Sequence, residues 1–146
     1  MSHGTSREAI EDLVHRYADA VVRRDPEQWG ATWAPDAVWD LGRGRRMEGR
    51  DAIREFWNGA MDGFKAVVQN VVNGTADLDE SAGTGTGRWY ILEHFKRVDD
   101  VPGILLAHYD DVYTLVDGEW LFASRDLVIH YGGPPDLSAD FQNAWA

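Results

Sequence analysis

Apolar residues recur every three or four positions from Ile10 through Leu13, Val14, Tyr17 and Ala18 to Val21, which places them on one face of a helix. Thr5-Ser6-Arg7-Glu8 supplies a capping box at its start, and the pattern runs to about Arg24. Asp25-Pro26 opens a second helix, with Asp25 as cap and Pro26 at the first helical position. Trp29 and Trp33 share one face of it, and Ala34-Pro35 ends it. Ala37–Leu41 reads as a short strand, Gly42–Arg46 as a basic turn and Met47–Gly49 as the return strand. Asp51 then caps a helix through Ile53, Phe56, Trp57 and Ala60.

After Gly63 the period changes from 3.6 to 2. Four strands are predicted, at about 66–77, 85–97, 104–116 and 119–131, with Asp117-Gly118 as a two-residue hairpin turn between the last two. Helices followed by a run of strands define an α+β fold. Strands this long must twist and bend, so a curved antiparallel sheet closed by the first helix should form a cone around an apolar pocket. The reading is one domain over 1–146, with 132–146 as a C-terminal tail. Phe141 and Trp145, beyond a Pro-Pro hinge, are expected to fold over the pocket mouth or onto a partner subunit. Trp89, Ile91, Phe95, Val112, Leu121 and Val128 are too many for one inner wall, so a homodimer through the convex face is expected.

Charge narrows the partners. A net charge of −11 disfavours nucleic acid and anionic membranes as partners. The absence of cysteine excludes disulfides and thiolate chemistry. No apolar run is long enough to span a membrane, and Met1-Ser2-His3-Gly4 carries no apolar leader, so a cytoplasmic location is expected. Seven tryptophans exceed what a core of this size needs and suggest a cavity or a large interface.

Several residues could do chemistry in such a pocket. Tyr17 lies on the buried face of the first helix and could donate a hydrogen bond to a substrate oxygen. Asp111 shares a strand face with Tyr109 and Tyr113; in an apolar wall its carboxyl would stay protonated and donate as well. Asp40, at a strand end, could act as a base or simply start the turn before Gly42. His130 and His108 are further bases or structural groups. Arg125 could orient substrate or pair with Asp111 or Glu93. Trp33, Trp57, Trp89, Gln69 and Tyr113 complete the candidate pocket lining, with His108 and Arg125. The five histidines lack metal-ligand spacing, and the glycines of Gly83–Gly87 lead into a strand rather than a helix, so neither metal nor organic cofactor is expected.

The element order, with Pro35-Asp36-Ala37-Val38-Trp39, Gly49-Arg50-Asp51-Ala52-Ile53 and Asp117-Gly118-Glu119-Trp120, resembles the SnoaL-like branch of the NTF2-like superfamily over about residues 7–131. The resemblance implies a cone-shaped fold. It also implies either a cofactor-free enzyme or a non-catalytic binding or pairing module. Tyr17 lies where steroid isomerases and bile-acid dehydratases keep a catalytic tyrosine, and Asp111 where the isomerases keep an oxyanion-hole aspartate. Asp40 falls within one residue of the isomerases' base, at Leu41. The dehydratases and dehydrochlorinases keep an Asp–His dyad, where this chain has Val22 and either Gln69 or Val72.

The function expected from residues and resemblance together is that of a lyase or isomerase working by proton transfer on a hydrophobic oxygenated small molecule such as a polyketide, steroid or aromatic. Dehydration, isomerisation and cyclisation all meet that description. The alternative is a non-catalytic module that binds a small molecule or pairs with another subunit.

Overall fold

The computed structural model describes residues 5–145; the Met1–Gly4 segment, read above as carrying no apolar leader, and Ala146 lie outside the described residues. Helix α1 spans Ser6–Arg23, with the Glu8 amide donating to Thr5 Oγ1 at 3.1 Å and Arg24 closing the helix in the left-handed conformation. Its periodic residues Ile10, Leu13, Val14, Tyr17 and Val21 are buried, and the helix packs on the strands Phe64–Asp79 and Glu119–Gly133 of the sheet.

The second helix is shorter than its pattern. Helix α2 covers only Pro26–Gly30, and Trp33 opens strand β1, Trp33–Asp40. The i,i+4 spacing of Trp29 and Trp33 suits a helix face, but Thr32 folds back, its hydroxyl donating to the Trp29 carbonyl at 2.6 Å. Its own carbonyl accepts from the Phe122 amide at 2.9 Å, which starts pairing with the last strand. Both tryptophans reach the same core from different elements. Strand β2 is Arg46–Glu48 and helix α3 is Arg50–Met61. The cap of α3 is Gly49, at φ 91°, rather than Asp51, which sits in the first turn where its charge favours the helix N-terminus.

Strands β3 (Phe64–Asp79), β4 (Thr84–Arg97), β5 (Pro102–Val116) and β6 (Glu119–Gly133) form the long meander. Asp117 and Gly118 both have positive φ, as a tight hairpin turn between right-twisted strands demands. The sheet order is β2-β1-β6-β5-β4-β3. One pair departs from the antiparallel expectation: β1 runs parallel to β6. No hairpin joins these two strands; the rest of the sheet lies between them in sequence, so β1 docks along the free edge of β6 in either sense. Register shifts at Val71/Asn73, Leu106/Ala107 and Val112/Tyr113 bend the long strands, and the bent six-stranded sheet with three helices makes an NTF2-like cone.

The closed end of the cone is aromatic. Trp29 stacks on Trp57 at 4.5 Å between ring centroids, Trp33 and Trp39 meet Trp29 edge-on, and Tyr17 packs edge-on against Trp33 and Phe122. Such rings bury more area per residue than aliphatic side chains and dominate the core's stability. Among the described residues, no helix is long and apolar enough to cross a membrane.

Candidate functional site

Between α1, α3 and the concave sheet face lies an apolar cavity of about 340 Å³. Tyr17 and Val21 come from α1, Trp57 and Met61 from α3, Trp39 from β1, and Val67, Gln69, Ile91, Glu93, Phe95 and Tyr109 from the sheet.

Its polar groups are few. Glu93 is the carboxylic acid on the wall. It alternates with Trp89, Ile91 and Phe95 on one strand face and pairs across the ladder with Gln69, whose Nε2 donates to Glu93 Oε1 at 3.0 Å. Glu93 keeps some exposed surface, but that surface faces the cavity, where there is little bulk water. Desolvation therefore pushes its carboxyl above the usual range, against the pull of the Gln69 bond. Gln69 Oε1 and Trp39 Nε1 are buried without a hydrogen-bond partner. The Tyr17 and Tyr109 hydroxyls lie 3.3 Å apart. Burial raises both phenol pKa values, so both stay protonated, and one hydrogen of the pair is left to donate elsewhere.

Beneath the tyrosines lies a buried ion pair. Arg125 donates from Nε to Asp111 Oδ1 at 2.7 Å and from Nη2 to Oδ2 at 3.2 Å. Tyr113 donates to Asp111 Oδ2 at 3.0 Å and accepts from Trp89 Nε1 at 2.8 Å. The guanidinium carbon lies 3.9 Å from the Tyr109 ring centroid, 4.1 Å from Phe122 and 4.5 Å from Tyr17. Burial raises the Asp111 pKa, and the guanidinium opposes that rise. Arg125 keeps its proton, so the pair is a forked, charge-assisted contact.

The residues expected to act together are thus divided. Tyr17, Trp57 and Gln69 line the cavity. Asp111 shares the inner strand face with Tyr109 and Tyr113 as expected, but its oxygens are taken by Arg125 and Tyr113, and it does not reach the cavity as a free donor. Arg125 is engaged in the same pair. Trp33, Trp89 and Tyr113 are packed into the core beside the cavity rather than filling it. Asp40 sits in the turn, accepting from the Gly42 amide at 2.8 Å with Arg46 at 3.8 Å, so the turn role is the one its geometry shows.

His108 and His130 face the opposite, convex side, since they alternate with the inward positions of β5 and β6. Their rings bond at 2.8 Å between Nδ1 and Nε2. Trp145 stacks on His108 at 5.0 Å and 9°, and Phe141 packs on Tyr131 at 4.9 Å. The tail therefore folds onto the convex face of its own chain, not over the cavity mouth. Desolvation under that cover lowers the His108 pKa, opposed by Asp110.

Sequence reasoning missed Glu93 as a pocket group. The signal was present: a carboxyl at an inward position flanked by Ile91 and Phe95 at the neighbouring inward positions. It read Arg45 as part of a solvated basic turn, whereas the residue reaches the cavity lining from that β1–β2 turn. Among the described residues no three His, Asp or Glu side chains come together in a way that could hold a metal ion.

A cone of this topology with an apolar cavity inside it belongs to the NTF2-like class. Within it the chain is a member of the SnoaL-like domain family, whose model matches residues 3–126. Among solved structures, a protein provisionally named scytalone dehydratase from Novosphingobium aromaticivorans superposes with a TM-score of 0.84, at 22% identity over 97% of this chain and 95% of that one. The hexachlorocyclohexane dehydrochlorinase LinA-type3 from Novosphingobium barchaimii superposes with a TM-score of 0.81, at 22% identity over 94% and 93%. No curated protein matches the sequence.

Proposed function

We propose that the protein is a cofactor-independent lyase or isomerase that moves a proton on a hydrophobic, oxygenated small molecule held in the cone. The observation that carries this reading is Glu93, a carboxyl of raised pKa on the wall of an apolar cavity that also presents the Tyr17–Tyr109 hydroxyl pair. The dehydratase and dehydrochlorinase names of the structural neighbours support the reaction class.

In the proposed cycle the tyrosine pair donates to a substrate carbonyl oxygen. The Glu93 carboxylate removes a proton from the adjacent carbon, and the electron pair moves onto that oxygen as an enolate. Glu93 then returns the proton. Delivered to a conjugated carbon, it completes an isomerisation; delivered to a departing β-hydroxyl, it releases water. A carboxyl pKa raised above the ordinary range suits one group to both transfers. The Asp111–Arg125 pair holds the tyrosines from below and takes no proton in this scheme.

The test is deuterium incorporation from heavy water into cyclic ketones such as 2-tetralone, followed by NMR. Wild-type protein should accelerate exchange next to the carbonyl. Glu93→Gln should abolish that acceleration, and Tyr109→Phe should reduce it by roughly a hundredfold, the cost of one oxyanion donor. Wild type exchanging no faster than Glu93→Gln would reject the catalytic reading.

The alternative of a non-catalytic binding module draws on one observation: Asp40, Asp111 and His130 do not converge on the cavity with Tyr17. It requires ligand binding without exchange. We also infer self-association through the convex sheet face, supported by the exposure there of Val68, Val72 and Val112.

A further inference from the structure

The cavity lining carries an arginine without an acid partner, in a chain with 25 acidic and 14 basic residues. Among the described residues, Arg45 is the one cation on the cavity lining. Its guanidinium donates only to turn carbonyls, to Leu41 O at 3.1 Å and Gly42 O at 3.4 Å, so it keeps full charge and unused donors. A second lining residue, Phe64, has two more arginines against it: Arg24 donates to its carbonyl, and Arg97 lies 6.0 Å from its ring centroid. Among the described residues, Arg24, Arg43, Arg45, Arg50 and Arg97 have no carboxylate within ion-pair distance, and of these Arg45 is the one on the cavity lining. Arg7, Arg16, Arg23, Arg46, Arg54, Arg88 and Arg125 all have one. Nearby carboxylates have other partners: Asp100 pairs with Lys65, and Asp99 accepts from the Val101 amide at 3.2 Å.

We propose that the cavity takes an amphipathic acid, with its ring body inside the cone and a carboxylate at the mouth against Arg45. This rests on the reading of the cavity as a small-molecule site and adds the ligand's charge to it. The protein's net negative charge does not oppose the assignment. It acts through water and is screened beyond about 8 Å at physiological salt, whereas a guanidinium in contact acts directly. Guanidinium donors match carboxylate oxygens in pairs, and a mouth lined partly by apolar groups strengthens that contact relative to open water. The same arrangement orients the ligand. With its charge fixed at the mouth, the far end of the ring body is directed towards Glu93 and the Tyr17–Tyr109 pair.

The experiment is calorimetric titration of the full chain with 2-naphthol, 2-naphthoic acid and 2-naphthyl phosphate, at low and high salt. The acid should bind at least fivefold tighter than the naphthol at low salt, and the preference should shrink at high salt. Arg45→Gln, in an exposed turn, should cut the preference below twofold, with the acid losing more affinity than the naphthol. Naphthol binding as tightly as the acid, or a preference that survives Arg45→Gln, overturns the inference and leaves the small-molecule reading standing. The phosphate binding tighter than the acid overturns the choice of carboxylate. Failure of all three to bind overturns the small-molecule reading itself, and this inference with it.

Discussion

Arg125 and Asp111 face each other across the β5–β6 ladder, Nε 2.7 Å from Oδ1, with side chains 2% and 0% exposed. The pair lies under Tyr17 and Tyr109 and joins the closed end of the cone to the cavity. Removing one member leaves the other charge buried without a partner, which costs about 3–5 kcal/mol. Asp111→Leu should therefore lower thermal stability severely. The double change Asp111→Leu with Arg125→Met removes both charges and should recover much of the loss. Thermal denaturation of the three proteins checks this; a double variant no better than the single one would show that the pair's geometry, not its charge balance, holds the core.

Glu93 should leave a mark on the pH dependence of stability. Its folded-state pKa lies above the ordinary carboxylate value, chiefly through desolvation. As pH rises past that ordinary value, the unfolded chain loses the Glu93 proton first and the folded chain holds more protons. Stability then falls with rising pH until the folded group has also ionised. Glu93→Gln cannot ionise, so it should match wild type near pH 4 and melt a few degrees higher near pH 8. Parallel melting curves across that range would mean that the carboxyl is not desolvated.

Which parts of this molecule could be read from its sequence follows from the range of the interactions that set them. Period and capping are local, so α1 with Thr5 and the Asp117-Gly118 hairpin were legible within a residue or two. Trp33 was assigned to the wrong element because its spacing from Trp29 fits a helix. Only its pairing with Phe122, far along the chain, makes it a strand residue. The parallel β1–β6 contact was invisible for the same reason. At the site, alternation placed Asp111 on the inner face and named Arg125 as a possible partner; the β5–β6 register that sets the two opposite each other decides that Asp111 is an ion-pair member rather than a pocket acid. His130 illustrates the remaining limit: which strand face is concave depends on where the helices pack, which no single strand encodes.

The C-terminal segment gives a third prediction. Phe141 covers Tyr131, Trp145 covers His108, and the Gln142 amide donates to the His130 carbonyl at 2.7 Å. Truncation after Gly133 should expose the His108–His130 pair and lower the melting temperature. The cavity lies on the other face of the sheet, so affinity for a naphthalene ligand should change less than twofold. A large loss of affinity with unchanged melting would place the tail's role at the mouth instead.

The last prediction concerns assembly. The convex face carries Val68 at 44%, Val72 at 62% and Val112 at 41% exposure, with Tyr90, Leu92, Leu106 and Val128 half-buried between them. An antiparallel sheet can leave one face to water when that face is polar. Here aliphatic side chains stand on β3, β4, β5 and β6 alike, so the apolar stripe crosses strands rather than following one. Charge does not interrupt it at the centre: Arg88 and Asp110 neutralise each other at 2.8 Å beside it. Burying such a stripe against a second copy removes it from water and satisfies both chains at once, which makes a two-fold arrangement the simplest closure. Sedimentation at micromolar concentration should give a species of twice the 16.4 kDa chain mass. Val72→Asp with Val112→Asp should convert it to monomer, without disturbing the cavity on the opposite face. A wild-type protein that sediments as monomer would instead leave the stripe solvated, and its exposed valines would then predict poor solubility rather than an interface.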